Sequence, residues 1–396
     1  MKDLIWKGKF FFSHFSQNLS QHRFLSLCAT TSFYFLFTLI PFIILIFLIL
    51  SKWVSNSDVI FNELQNITSN LLPEISEKIM LQVKKFTDSS KGLGWFWFFI
   101  LFWAASPLAN SIRKNFLIIF NRKIKRKFYV NKFIDITILL LVIFLFFSYI
   151  FISKYLVNLA GLFHSLIPVS EKSVLLILFS SVSLIIFVAI FYKIMTPEKK
   201  LPQSLLLIGA TASCFVWIFL HEMFDLIMSM SQSYGIFYGS MRNLFISLIW
   251  LFLNIAGFLI GVELIAFIFN LEVYKFRSLF LQPSKSLLKI FFQSHITRLQ
   301  KNAVLFNYGM PSTSVYFIVD GQIKTTINGH ERLFHNNQYF GELSVINNTK
   351  RLGEAVVVSD WAKIIKIPNS TFKKLLSEDL EFQNYILKNL NKIIIN

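Results

Sequence analysis

Hydrophobic and polar residues follow one pattern up to about residue 270 and another beyond about Pro283. The first part is built from unbroken apolar runs, the second from short alternating segments separated by Gly and Asn. Crossing about 30 Å of hydrocarbon takes about 20 mostly apolar residues, because only a helix of that length satisfies its own backbone hydrogen bonds in lipid. Six runs meet that length, approximately Cys28–Leu50, Gly94–Ile112, Phe133–Ser153, Val174–Ile194, Leu205–Leu226 and Leu244–Phe269. The first starts too deep and runs too long for a cleavable signal peptide, and no small-residue cleavage pattern follows it, so it reads as a retained helix. In the second part Val315–Val319, Gln322–Ile327, Arg332–Phe334, Glu354–Val358 and Lys363–Ile367 read as strands, with tight turns at Asp320-Gly321 and Asn328-Gly329. A helical pattern from Ser370 to about Leu390 closes the chain. The expected fold is a membrane all-α six-helix bundle followed by a soluble, jelly-roll-like β-roll with flanking helices. Its parts are a cytoplasmic or interfacial segment 1–27, a membrane domain 28–271, a connector 272–294 and a roll 295–396.

Composition narrows the class. Of the 396 residues 55% are hydrophobic and only 15% charged, with 47 Phe, against about 25% charged in an average soluble domain; a wholly water-soluble protein is excluded. The net charge of +18 comes from 39 Lys+Arg against 21 Asp+Glu. In a membrane protein such an excess gathers in cytoplasmic loops and sets orientation, so nucleic acid is not the expected partner. The basic residues do alternate by connection. They crowd the N-terminal segment, the acid-free run Arg113–Lys127 and the stretch Lys193–Lys200, while the intervening connections are balanced or nearly uncharged. Both termini are therefore expected in the cytoplasm, with the bilayer and anionic lipid headgroups at the basic loops as partners. The mixture of Lys2, Lys7 and Lys9 with Trp6, Phe10, Phe11, Phe12 and Phe15 suits a helix lying in the headgroup region. Two cysteines, Cys28 and Cys214, are too few for a disulfide framework or a Cys-based zinc site, and both read as packing residues.

Ionisable residues within bilayer helices are costly and face a bundle interior or cavity, so each is a candidate. Glu222 and Asp225 stand three apart on one face near the outer end of the fifth run, beside His221, either as water-exposed caps or as a proton or cation relay. Glu263 follows Gly257 and Gly261 on the sixth run, where small residues permit close helix approach; it serves either a cavity or a pairing with a basic residue of a neighbouring loop.

Three segments carry a resemblance to a known family: SFYFLFTLIPFIIL at Ser32–Leu45, WAASPLANSIRKNF at Trp103–Phe116, and YGIFYGSMRNLFISLIWLFLNIAGFLIGVEL at Tyr234–Leu264. The last is the most specific, ending in Gly261, Glu263 and Leu264. Over nearly all of Met1–Leu271 the chain resembles the BrkB/YihY family of bacterial inner-membrane proteins, which implies six helices with both termini cytoplasmic. Members have carried a ribonuclease label, but no cluster of His, Cys and carboxylates stands at metal-ligand spacing here, and the chain is not read as an enzyme. From about Lys289 to Leu390 it resembles a cyclic-nucleotide-binding domain, through VLFNYGMPSTSVYFIVDGQI at Val304–Ile323, FGELSVI at Phe340–Ile346, and Arg351 ten positions after Gly341. That resemblance implies cAMP or cGMP as a regulatory ligand and no other cofactor. It gives the Gly341, Glu342, Leu343 turn to the cyclic phosphate, Glu342 to the ribose hydroxyl and Arg351 to the phosphate.

The match has departures. Leu352, Gly353 and Glu354 stand where small and hydroxyl residues are usual, so a Ser/Thr contact is missing and an acid is added; Glu354 is expected to alternate with Leu352 in direction and to face solvent. The core of the roll is expected to be Leu305, Val315, Phe317, Val319, Phe340, Val356, Ile365 and Phe372, a set that neither Glu342 nor Arg351 touches. One C-terminal helix leaves no room for a helix-turn-helix. The expected function is a transporter or lipid-handling membrane protein whose roll senses a nucleotide; the alternative is a membrane scaffold whose roll binds protein. Substrate and oligomeric state are open.

Overall fold

Runs with no polar face form helices apolar all round. A computed structural model describes residues 2–51, 95–122, 127–140, 169–198, 200–223, 242–281 and 283–395, with isolated positions between 62 and 85 and at 144. They divide into two compact units, Phe15–Ile268 on one hand and Met1–His14 with Phe269–Asn396 on the other. The expected connector thus falls within the second unit, together with the first residues of the chain.

The first unit is helical. Its elements are the later part of α1 (Lys2–Gln21), α2 (Phe24–Ser51), α3 (Trp95–Ile119), the helical residues 128–140, α4 (Val169–Met195), α5 (Gln203–Glu222) and α6 (Arg242–Phe269). Among the described residues two helical segments are long and apolar enough to cross a membrane, Gln203–Glu222 and Leu244–Phe269, and two shorter segments, Phe24–Leu39 and Ser181–Met195, are also apolar. Six crossings are therefore more than the described helices establish, and the later part of the expected third run lies outside them. Polar groups tie the helices from inside. Asn115 donates to Thr31 Oγ1 at 2.7 Å, and the Thr31 and Ser111 hydroxyls meet at 2.9 Å, joining α2 to α3. On the α4, α5 and α6 side, Tyr192 donates to the Phe258 carbonyl at 2.7 Å and Ser213 to that of Gly257 at 2.9 Å. Gly261 makes this contact fit, since a Cβ there would sit 2.2 Å from Ser213 Oγ and 2.7 Å from the Tyr192 hydroxyl. The opposite faces carry exposed Phe37, Trp103, Ile190, Phe215 and Phe219.

The second unit is the roll. After α7 (Leu271–Leu281) and α8 (Lys285–Phe291) come β1 (Ile296–Gln300), β2 (Val304–Phe306), β3 (Ser314–Asp320), β4 (Ile323–Ile327), β5 (His330–Phe334), β6 (Tyr339–Phe340), the short α9 (Glu342–Ile346), β7 (Gly353–Val357), β8 (Trp361–Pro368), α10 (Asn369–Glu378) and α11 (Leu380–Ile395). Two antiparallel sheets face each other, in the orders β1-β8-β3-β6 and β2-β7-β4-β5. Strand parity then divides the core. Val315 and Phe317 of β3, with Ile365 and Ile367 of β8, pack on Phe280, Phe372 and Phe382 of the helices, whereas Tyr316 and Ile318, with Phe340 of the neighbouring β6, turn inward to Phe306, Ile323 and Val357 of the facing sheet. The Asn328-Gly329 turn forms as expected, both residues at positive φ (52° and 82°) between Ile327 and His330.

The helical tail is two helices instead of one. Asp379 leaves helical geometry and its Oδ1 accepts from Phe382 N at 2.8 Å, starting α11. Arg277 of α7 pairs with both Asp379 and Glu381, so the connector is held to the roll's own helices. The aromatic N-terminal residues are drawn into this unit too. Trp6 and Phe10 lie 5.9 and 4.8 Å from the Phe291 ring, Phe10 is buried, and His14 meets Ser278 Oγ at 3.0 Å, while Phe12 stays exposed.

Candidate functional site

The facing sheets leave a cavity of about 180 Å³ at the end of the roll where α9 sits. Register defines its floor. Thr325 pairs across β4 and β5 with Arg332 and across β4 and β7 with Ala355, and Ile327 pairs with His330 and Gly353; residues directly opposite share a face. Thr325, Ile327, His330, Arg332 and Phe334 therefore line it as one row, opposed by Phe306, Phe340 and the Gly341–Ser344 turn. Thr325 and Ser344 bring hydroxyls to the wall, which reading the positions after Arg351 could not reveal because neither lies there.

Gly341 occupies the left-handed region at φ +82°, and a Cβ there would come within 2.7 Å of the Arg351 guanidinium. Glu342 is buried behind the turn at 4% exposure. Burial pushes its carboxyl up to about 7, against the opposing pull of its own backbone N–H, Arg332 and Arg351. The protonated form of this carboxyl is thereby favoured well above the ordinary carboxylate range.

Arg351 is held beneath the Gly341 turn. It is 2% exposed, donates from Nη1 to the Gly341 carbonyl at 2.7 Å and from Nη2 to that of Ser314, and lies 4.2 Å over the Phe306 ring. Among the described residues its Nε has no hydrogen-bond partner, and the Gly341 and Phe306 that it touches both line the cavity. Desolvation lowers its pKa, offset by the Tyr316 hydroxyl and by Glu342. The expectation that Arg351 stands apart from the core is thus corrected: the side chain fills the space between β3, β2 and the turn. Glu354 does face outward, being opposite Thr326 and exposed, but Leu352 shares that side with it because residues two apart in an extended chain point the same way. The two form the rim.

The membrane-half candidates separate. Glu263 is 1% exposed and accepts from His22 Nδ1 at 2.9 Å, a partner 241 residues away. It is a histidine at the end of α1, not the loop Arg or Lys that sequence suggests, and no local signal could have named it. Glu222 is exposed at the end of α5, and Asp225 lies outside the described residues. Sequence reading also passed over Asp135, buried and paired with Arg113 at 2.9 Å, which withdraws one cation from the basic run.

With this geometry in hand, comparison with known proteins is informative. Residues 15–279 match the family model described as virulence factor BrkB, and residues 296–379 match that of the cyclic nucleotide-binding domain. No curated protein matches the chain. Similar solved structures include the regulatory domain of Toxoplasma gondii PKA with cAMP, at 17% identity and TM-score 0.24, covering 31% of this chain and 49% of that one. The catabolite activator protein of Thermus thermophilus is 18% identical at TM-score 0.25, covering 29% and 57%. A cyclic nucleotide binding protein from Ruegeria pomeroyi is 19% identical at TM-score 0.22, covering 26% and 50%. This chain spans about half the length of each.

Proposed function

The chain belongs to the BrkB family, and from that premise we propose a non-enzymatic, multi-pass protein of the bacterial cytoplasmic membrane, a transporter or lipid handler, whose cytoplasmic roll binds cAMP or cGMP. The observation that carries the proposal is the union in one chain of a BrkB match over residues 15–279 and a cyclic nucleotide-binding match over 296–379, with a cavity bordered by Gly341, Glu342 and Leu343. Six crossings with both termini inside follow from the apolar runs and the alternation of basic connections, and the exposed aromatic and aliphatic side chains of the helical unit are the surface that lipid would cover. A soluble ligand regulates such a bundle only by binding two of its conformations with different affinity. Equilibrium dialysis of the detergent-purified full chain against labelled cAMP and cGMP tests the reading; saturable binding of either supports it. Absence of both favours a scaffold with a protein-binding roll, the reading that the inward turn of Arg351 onto two carbonyls supports.

A further inference from the structure

The helical unit holds a cavity of its own, of about 480 Å³, within the roughly 300–1,000 Å³ of small-molecule sites. Its wall joins three stretches far apart in sequence: Arg113 of α3, Phe133, Ile134 and Ile138 of the helical residues 128–140, and Ile194 and Thr196 at the end of α4. Each stretch is the end of an apolar run beside a basic connection, so the charge pattern sets all three on one side of the membrane. Two polar residues of the wall have bonding capacity left. Arg113 donates from Nε to Asp135 Oδ1 and from Nη2 to Asn110 Oδ1, both at 2.9 Å, and among the described residues three of its five N–H donors have no partner. Asp135 offsets its charge, but the same bonds hold the guanidinium as a fixed fork, the shape that matches a phosphate. Thr196 Oγ1 is buried with no hydrogen-bond partner among the described residues; a buried hydroxyl left unpaired is costly, and an oxygen in the cavity would satisfy it. The nearby acid Glu198 is engaged by Arg122, while Lys114 and Lys193 are exposed. The rest of the wall is apolar and its rim is open, with Phe133 71% and Ile194 45% exposed. These two belong to the surface that lipid covers in the reading above.

We infer that this cavity takes the phosphate of an inner-leaflet glycerophospholipid, held by Arg113 and Thr196, with an acyl chain along Phe133, Ile134, Ile138 and Ile194. Basic pockets between the cytoplasmic ends of spanning helices are suited to phospholipid headgroups. A free phosphate would use the two polar groups alone and leave the apolar rim in water, whereas a lipid covers both. The Arg113–Asp135 pair also serves packing, but packing does not call for an unpaired hydroxyl beside a cavity. The inference rests on the membrane-embedded reading of this unit and is independent of nucleotide binding by the roll.

Native mass spectrometry of the full chain, purified and delipidated in detergent, tests it with dioleoyl phosphatidylglycerol, dioleoylglycerol and inorganic phosphate as probes. The phosphatidylglycerol should be retained, dioleoylglycerol should be held far more weakly, and inorganic phosphate should not displace the lipid. Thr196→Val, which removes only the unpaired hydroxyl, should weaken retention by roughly tenfold, the effect of losing a hydrogen bond to a charged group, without lowering the melting temperature measured free of lipid. Arg113→Lys, which keeps the charge and loses the fork, should weaken it too. Retention by either variant within about twofold of the unmodified chain, or equal retention of dioleoylglycerol, overturns the site and leaves the membrane reading standing. Displacement by inorganic phosphate at equal concentration assigns the polar groups to free phosphate and overturns the lipid. Recovery of the full chain from the soluble fraction of cells overturns the membrane reading as well.

Discussion

Each half of this protein buries a carboxylate almost completely, and each keeps it in a different way. Glu263, in the helical unit, is given a histidine at 2.9 Å. Glu342, in the roll, forms no ion pair among the described residues; burial drives its carboxyl up to about 7, and it is kept in part by taking up a proton. A carboxylate held by a fixed partner is part of the packing, and removing that partner strands a charge. A carboxyl kept by a proton can change its charge at ordinary pH and can exchange its partner for a ligand. The contrast locates the adaptable chemistry in the roll.

The comparison breaks most visibly at His22. His22→Ala leaves Glu263 buried without its partner and should cost about 3–5 kcal/mol, the range for breaking one side of a buried pair. Membrane-fraction abundance and detergent melting temperature should both fall, and Glu263→Gln, which still accepts from His22, should fall less. Unchanged abundance in His22→Ala would show that the pair is not structural.

Glu342 responds to pH instead. Its folded-state pKa of about 7 lies above the ordinary 4.5, so the folded roll binds more protons than the unfolded chain between these values. This stability is present in full below about pH 4.5 and is lost as pH rises through about 7. Glu342→Gln does not titrate, so relative to the unmodified chain it should gain stability with pH, on the order of 3 kcal/mol between pH 4.5 and pH 8. Denaturant melts of the roll across that range check the sign; a difference that does not grow with pH refutes the proton account.

Arg351→Ala should destabilise the roll by roughly 2 kcal/mol, because the Gly341 and Ser314 carbonyls lose their donors. Faster amide exchange in β3 and at the Gly341 turn is the expected sign. Gly341→Ala has the smallest expected effect, about 1–2 kcal/mol from the left-handed backbone, with loss of ligand affinity as the added Cβ presses on Arg351.

Much of the roll is legible in the chain because a strand pattern survives in β3, β4, β7 and β8. It fails for β2 and β6, three and two residues long, which contain too little sequence to show a period. It fails also at β1, whose Thr297, Arg298 and Gln300 are largely exposed and look like linker. The break at Asp379 was readable, since an aspartate at a helix start is a familiar cap, yet the apolar pattern runs through it. Of the candidate site, Gly341, Glu342 and Leu343 could be named from the resemblance of Phe340–Ile346 to a cyclic-nucleotide-binding domain. The direction of Arg351 and the cavity-facing row of His330 and Arg332 could not, because both depend on register between strands. His22 and Glu263 meet through tertiary packing alone, with no local trace.

The central claim is that nucleotide entering the roll biases the membrane half. Hydrogen–deuterium exchange of the full chain in lipid nanodiscs, with and without saturating cAMP or cGMP, tests it most directly. The account predicts slowed exchange at Gly341–Ser344 and β5 together with an altered rate in the helical unit, at Gly257–Glu263 or Tyr192. Protection confined to the roll, with every helix of the membrane half unchanged, would contradict it.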